Sequence, residues 1–303
     1  MKATILLIFH FLLSLLAISQ AGKQSPYRLV LATYTYSTND RLGSLRPLAE
    51  YLKQETGLEV VARSFPTVQQ LMEAISKGEV DLAMINTLGY LSFQRNYPNI
   101  ISPLVSLDPG GSGITNYGGC ILASKRSGIT SLKDIDKDKR HSLALVGNAS
   151  TSGNLVPRLI LNSLGVRKAE EAFNVYYAGT HKQVAEDLLT GKADIGGCGC
   201  DEFDKNVKSV EGFSEKVVNV ASFNNIPLGP IVYRKTLDAG NVQKLEKALL
   251  EVHLKKPGVF REFCAGWTEF LESKKFRVSR DADYDEFRAL FGDNESLWKL
   301  LNN

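Results

Sequence analysis

The sequence predicts a two-lobe α/β protein, each lobe a mostly parallel sheet flanked by helices, with two hinge crossings between the lobes. Three observations carry this expectation. Short apolar runs alternate with segments of helical period from the start of the folded part. One helix–glycine–strand phrase occurs twice, far apart in the chain. Two short segments, near Thr115 and from Asn225 to Pro230, read as extended connections between the halves that contain those copies.

Taken in order, the chain begins with MKATILLIFHFLLSLLAISQAGK, in which Lys2 precedes an apolar run from Ile5 to Ile18 and small residues follow at Ser19 and Ala21. This pattern is expected to be a secretory signal peptide over residues 1–21; the run is short for a bilayer span. YRLVLATY reads as the first strand. In LGSLRPLAEYLKQETG, Leu45, Leu48, Ala49 and Leu52 share a helical face and Gly57 ends the helix, and LEVVARSF is the second strand. Val68, Leu71, Met72 and Ile75 form the next helical face, Gly78 stops it, and VDLAMI follows as the third strand. Strand–helix–strand–helix–strand implies parallel pairing through crossover helices.

The phrase QQLMEAISKGEVDLAMI returns as KQVAEDLLTGKADIGGC, with Gly191 in place of Gly78 and Asp194 in place of Asp81. Two similar lobes explain it better than a solenoid, because the copies are not adjacent. Between them GCILAS and HSLALVG are expected strands and SLKDI a helical turn. After them VVNVASF and the segment leaving IPLGPIVYRKTL are strands, and from Asp238 the chain reads as helical. Lobe 1 is therefore expected to comprise 27–115 and 226–303, and lobe 2 residues 116–225.

Composition bounds the chemistry. The chain has 303 residues, 44% hydrophobic, with a net charge of +3 and dispersed basic residues. A sizeable core is available, and no basic face with interleaved aromatics suggests a nucleic-acid partner. Secretion would permit disulfides. A long-range pair such as Cys120 with Cys198 or Cys200 is compatible with the spacing, but the sequence does not assign it. Buried thiols or one disulfide are expected rather than a metal site, since no Cys/His set has zinc-like spacing.

The stretch most suggestive of function is ASTSGNLVPRLILNSLG. Leu155, Leu159, Ile160 and Leu164 share a helical face, Pro157 belongs in the first turn, and the helix is expected to begin near Gly153. Ser150, Thr151 and Ser152 then sit at the positive end of the helix, where free N–H groups favour an anion and the hydroxyls add neutral donors. One hydroxyl would satisfy an ordinary cap; three with a glycine suit a tetrahedral oxyanion. The loop lacks the lysine and length of a P-loop. His181, at the start of the helix in GTHKQVAEDLL, can offer a ring N–H to the same cleft. Asp201 follows a strand end, where open α/β sheets place ligand contacts, and could accept from an amine or cap a helix.

Together GEVDLAMINTLGYLSF, NYGGCILASKRSGI, STSGNLVPRLIL, GTHKQVAEDLLTGKADIG and IPLGPIVYRKTL resemble the phosphonate/phosphate/phosphite-type substrate-binding proteins of ABC importers. The resemblance covers essentially the whole mature chain, and the STSG helix start and downstream histidine are its specific parts. It implies a type 2 periplasmic binding fold that closes on a small oxyanion, a periplasmic location, an ABC permease in the inner membrane as partner, and no cofactor. A monomer is expected. By position it assigns ligand contacts to Ser150, Thr151, Ser152 and His181, a cleft tyrosine to Tyr117, and an amine-pairing acid to Asp201. Tyr36 and Tyr90 are expected as aromatic walls. Two departures, Leu228-Gly229 in place of a second acid and Pro66-Thr67-Val68 in place of a first-lobe aromatic, favour a smaller ligand such as phosphate, phosphite or a simple alkylphosphonate over an aminoalkyl one.

An enzyme is not expected. The mature chain has three histidines (His141, His181 and His253) and no Ser-His-Asp, HExxH or nucleophile-elbow pattern. A sensor that passes the closed state to a membrane kinase, or a binder of another oxyanion such as a sulfonate, would use the same fold.

Overall fold

The computed structural model describes residues 28–36, 39–108, 117–136 and 138–301. The expected signal peptide and the first crossing near Thr115 lie outside them. Two sheets flanked by helices make up the molecule. The first has the strand order β11-β4-β10-β3-β1-β2, with β1 Arg28–Tyr34, β2 Glu59–Phe65, β3 Leu82–Met84, β4 Ile101–Asp108, β10 Ile231–Arg234 and β11 Lys275–Val278. The second has the order β7-β6-β8-β5-β9, with β5 Gly119–Ser124, β6 Ser142–Leu145, β7 Asn174–Tyr177, β8 Ile195–Gly199 and β9 Val217–Phe223. The first sheet thus draws on both ends of the chain and the second on its middle.

Each parallel ladder is the product of a crossover helix. Helix α1 (Arg41–Thr56) links β1 to β2, and α2 (Val68–Ser76) links β2 to β3. In the second sheet, α4 (Val156–Ser163) stands between β6 and β7, and α5 (His181–Thr190) between β7 and β8. The strands next to the crossings, β10 and β4 in one sheet and β5 and β9 in the other, pair antiparallel, so both sheets are mixed. A strand that enters a sheet from the other lobe arrives at the opposite end from one delivered by a crossover helix, and must run the other way.

The two orders correspond strand for strand: β4-β10-β3-β1-β2 matches β9-β5-β8-β6-β7. The repeated phrase falls on equivalent elements. Gly78 and Gly191 both turn at φ +75°, a conformation glycine adopts without strain. The following aspartates serve the same purpose in both lobes. Asp81 accepts from the Val30 amide at 2.9 Å, and Asp194 accepts from the Ser142 amide at 3.0 Å, each tying the start of its strand to a parallel neighbour.

Three strands escaped the sequence reading: β4, β7 and β11. Of these, β11 lies in a region expected to be helical; KFRV is short and pairs only at the sheet edge with β4. The rest of the C-terminal part is helical, with α7 (Ala239–Lys255) and α8 (Pro257–Ala265) followed by short turns. Helices α3 (Thr87–Asn96) and α6 (Cys200–Ser209) follow β3 and β8.

The lobes touch. Leu155 and Val156 of the second lobe pack in the same apolar cluster as Ile85, Leu88 and Phe287 of the first. Asn86 donates to the Ala149 carbonyl at 2.8 Å, and Asn294 to the Asn162 side chain at 2.8 Å. Among the described residues no helix is long and apolar enough to cross a membrane.

Candidate anion-binding site

Between the sheets lies a pocket lined by Tyr34, Tyr36, Arg41, Asn86, Tyr117, Ser150, Thr151, Ser152, His181, Asp201 and Glu269, with a free volume of about 30 Å³. Seven of the eight residues expected from the sequence meet there. The exception is Tyr90. It is fully buried in lobe 1, where it donates to Asp281 at 2.5 Å and packs on Tyr284 with centroids 4.7 Å apart. Tyr90 sits one turn beyond the cap of α3, and the rise of that turn sets its ring farther along the helix than the cleft-lining Asn86, where Asp281 takes its hydroxyl.

The helix start at 150–155 is wider than expected, and Pro157 explains it. Proline has no N–H and its ring crowds the carbonyl four residues back, here that of Gly153. The chain responds with a wide first turn: Leu155 N–H donates to the Ser150 carbonyl and Val156 N–H to that of Thr151. The Gly153 carbonyl instead accepts from Val146 N–H at 3.0 Å, fastening the helix to the end of β6. The cap is therefore Ser150, whose hydroxyl accepts from Gly153 N–H at 3.1 Å, and the helix begins at Thr151, two residues earlier than Gly153. A helix leaves its first N–H groups without internal partners, and the wide turn leaves one more than an α turn does. The glycine of STSG is required by packing: a Cβ on Gly153 would come within 2.3 Å of Val146 Cγ2.

The hydroxyls are unequal. Ser150 caps the turn, the Ser152 side chain bonds to Tyr117, and Thr151 Oγ1 accepts from the Leu88 amide of α3 at 3.2 Å. Thr151 thus joins the lobes while its own O–H stays available as a donor.

His181 is the first residue of α5, capped by Thr180, whose hydroxyl accepts from Gln183 N–H at 3.0 Å. Its Nδ1 accepts from Gly199 N–H at 2.8 Å. This places the proton on Nε2 and makes that atom a donor. Burial holds the imidazole pKa below its usual value, against the opposing fields of Asp201 and Glu202. The ring is therefore a neutral donor at neutral pH.

Four lining residues were absent from the sequence reading: Tyr34, Arg41, Asn86 and Glu269. Arg41 is the first residue of α1, 4% exposed, with its guanidinium over the rings of Tyr34, Tyr36 and Trp267 at 4.6, 4.8 and 5.1 Å. Its Nε donates to the Gly266 carbonyl at 3.3 Å, while Nη1 has no partner among the described residues. Tyr36 Oη is likewise buried and unpartnered. Buried donors without acceptors are costly, and a bound anion would satisfy both. A cation at a helix start opposes the helix dipole, and that is the signal in NDRLGS that could have marked Arg41. Burial raises the pKa of Tyr34, Tyr36 and Tyr117, so all three keep their O–H as donors.

Asp201 lies exposed in the first turn of α6. The residue before it, Cys200, is disulfide-bonded to Cys120 of β5, while Cys198 and Cys264 are buried free thiols. This chooses among the alternatives that spacing had left open. Leu228 and Val68 are buried, and neither is among the residues that line the pocket. A second acid is nonetheless present: Glu269, delivered by the Thr268–Phe270 turn after α8. Among the described residues no cluster of His, Cys, Asp or Glu could hold a metal ion.

Comparison with known proteins bears on the family and the fold. Residues 25–284 match the family model described as ABC transporter, phosphonate, periplasmic substrate-binding protein. The phosphate-import protein PhnD of Mycolicibacterium smegmatis is 29% identical over 169 residues, covering 53% of this chain and 51% of that protein, so the match spans about half the length of that relative. Among solved structures, XAC2383 from Xanthomonas citri bound to chloride superposes with a TM-score of 0.72 at 19% identity, over 91% of this chain and 99% of that one. PhnD1 from Prochlorococcus marinus in complex with methylphosphonate gives 0.68 at 16% identity, over 88% and 98%. The match to the family model over most of its length places this chain among the periplasmic substrate-binding proteins of phosphonate ABC transporters.

Proposed function

We propose that the protein captures a small phosphorus oxyanion, a phosphonate, phosphite or phosphate, between its lobes and hands it to an ABC permease in the inner membrane. It acts as a periplasmic monomer after loss of residues 1–21, without catalysis. The lobes divide as 27–115 with 226–303, and 116–225, and the ligand contacts are Ser150, Thr151, Ser152, His181, Tyr117, Tyr36 and Asp201, joined by Arg41. The observation that carries this reading is convergence: a widened helix start, a neutral histidine donor and the unpartnered Arg41 Nη1 meet in one pocket of about 30 Å³. Preorganised N–H and O–H donors in a water-poor cleft stabilise an anion without reorganising. The small volume supports a compact ligand.

Trp267 lies under Arg41, so its fluorescence reports occupation of the cleft. Titration of the mature protein with phosphate, phosphite, methylphosphonate, 2-aminoethylphosphonate, sulfate and taurine is expected to give saturation with a phosphorus ligand, lost in Ser150→Ala/His181→Gln. Saturation that survives the double substitution would remove the cradle from the account.

A further inference from the structure

The helix that carries the hydroxyl run is held by lobe 1 along its whole length. At the cleft, Asn86 donates to the Ala149 carbonyl at 2.8 Å and the Leu88 amide to Thr151 Oγ1 at 3.2 Å. Along the middle, Leu155, Val156, Leu159 and Ile160 share an apolar cluster with Phe287, Phe291 and Leu297. At the far end lies a polar clamp. Asn294 Nδ2 donates to Asn162 Oδ1 at 2.8 Å and to the Arg167 carbonyl at 3.0 Å. Ser296 Oγ lies 2.8 Å from that same carbonyl, and Arg167 donates to the Asp293 carboxylate and carbonyl, each at 3.0 Å. From Ser150 to Asn162 the helix runs about 18 Å, so the clamp stands well away from the pocket. Asn294 is 2% exposed. Its Oδ1 accepts from Ser296 N–H in its own turn at 3.1 Å, which fixes the amide with both Nδ2 hydrogens toward lobe 2. The segment around it is anchored to lobe 1: Glu295 pairs with Arg95 at 2.5 Å, Arg95 lies over the Trp298 ring at 4.7 Å, and Tyr284 packs on Tyr90. The donor bonds of the Asn294 side chain thus all cross between the lobes, and none of them involves the pocket. An opening that parted α4 from this segment would give them up together.

We propose that residues 293–296 form a latch, with Asn294 as its positioning residue, that holds α4 against lobe 1 in the closed arrangement. The Ser150–Ser152 turn then meets Arg41 and Tyr36 of lobe 1 through bonds the protein makes for itself, and a ligand supplies only part of the drive to close. A latch of this kind acts on the fraction of molecules competent to bind. Its loss weakens every ligand by one common factor and leaves the choice between ligands unchanged. That the ligand is a phosphorus oxyanion rests on the functional reading above; the latch does not.

Two measurements on the mature protein test this, small-angle scattering without ligand and calorimetric titration with phosphate and with methylphosphonate. Asn294→Ala is expected to have a larger radius of gyration than wild type when unliganded, and to return to the wild-type value with saturating ligand. Both ligands should bind it roughly tenfold more weakly, by the same factor, since two hydrogen bonds are lost from the closed form alone. Asn162→Ala removes one acceptor from the lobe 2 side and leaves Asn294 capping its own turn. It should show the same changes to a smaller degree, and it decides the matter if Asn294→Ala does not fold. An unchanged radius and unchanged affinities would mean that the clamp travels with the pivot, and tighter binding that it resists closure; either overturns the proposal. A shift in the ratio of the two affinities also overturns it, because the clamp would then act on the shape of the pocket and not on closure. If neither ligand binds wild type, the functional reading fails, and the scattering comparison still decides the latch.

Discussion

At the scale of residues, the site is built from donors that need no net charge, plus one buried cation. Removing the cation tests its share. Arg41→Met should weaken phosphorus-oxyanion binding roughly ten- to hundredfold, the loss of a hydrogen bond to a charged group being about 1.5–3 kcal/mol. Trp267 fluorescence measures it. His181 gives a pH prediction with a definite sign. Burial lowers its pKa from 6.5, so the unfolded chain takes up a proton that the folded protein refuses. Its contribution to stability is complete above about pH 6.5 and declines as pH falls below that value toward the folded pKa. Denaturant titrations between pH 7.5 and pH 5 should show wild type losing more stability than His181→Gln.

At the scale of elements, short sequence signals carried much of the site. The hydroxyl run, Pro157 and the capped start of α5 were legible because they are local. The position of the cap was not, because it depends on Pro157 forcing a wide turn and on Val146 claiming the Gly153 carbonyl. Glu269 left no trace in the sequence, since a turn after α8 becomes a wall of the cleft only once the chain has returned from lobe 2. Tyr90 misled for the opposite reason: α3 starts at the cleft, but its next turn lies farther along the helix, where Asp281 takes the hydroxyl. Two substitutions probe these elements. Thr151→Val removes the acceptor for Leu88 N–H that joins the lobes and should weaken ligand binding while leaving the circular-dichroism spectrum unchanged. Cys120→Ser/Cys200→Ser opens a closure of 80 residues, which should cost about 2–4 kcal/mol in denaturant unfolding. It should also loosen binding, because Cys200 lies between the amide that fixes His181 and the carboxylate of Asp201.

At the scale of the whole molecule, the pseudo-symmetric sheets explain why one cleft collects so many helix starts. Equivalent βα junctions from both lobes face each other: Asp40-Arg41 and Asn86 from the first, Ser150 to Ser152, Thr180-His181 and Asp201 from the second. The repeated phrase announced this symmetry, and the paired aspartates Asp81 and Asp194 bear it out. A ligand held by both lobes must also stabilise the fold. At one hundred times its dissociation constant it should add about 2.7 kcal/mol, visible as a raised unfolding midpoint. The most direct measurement is a crystal structure of the mature protein grown with the phosphorus oxyanion that gives this shift. The phosphorus should lie in the pocket with its oxygens on the Ser150–Ser152 turn, His181 Nε2 and Arg41 Nη1. A ligand found outside this pocket, or inside it with His181 and Arg41 making no contact, would contradict the account.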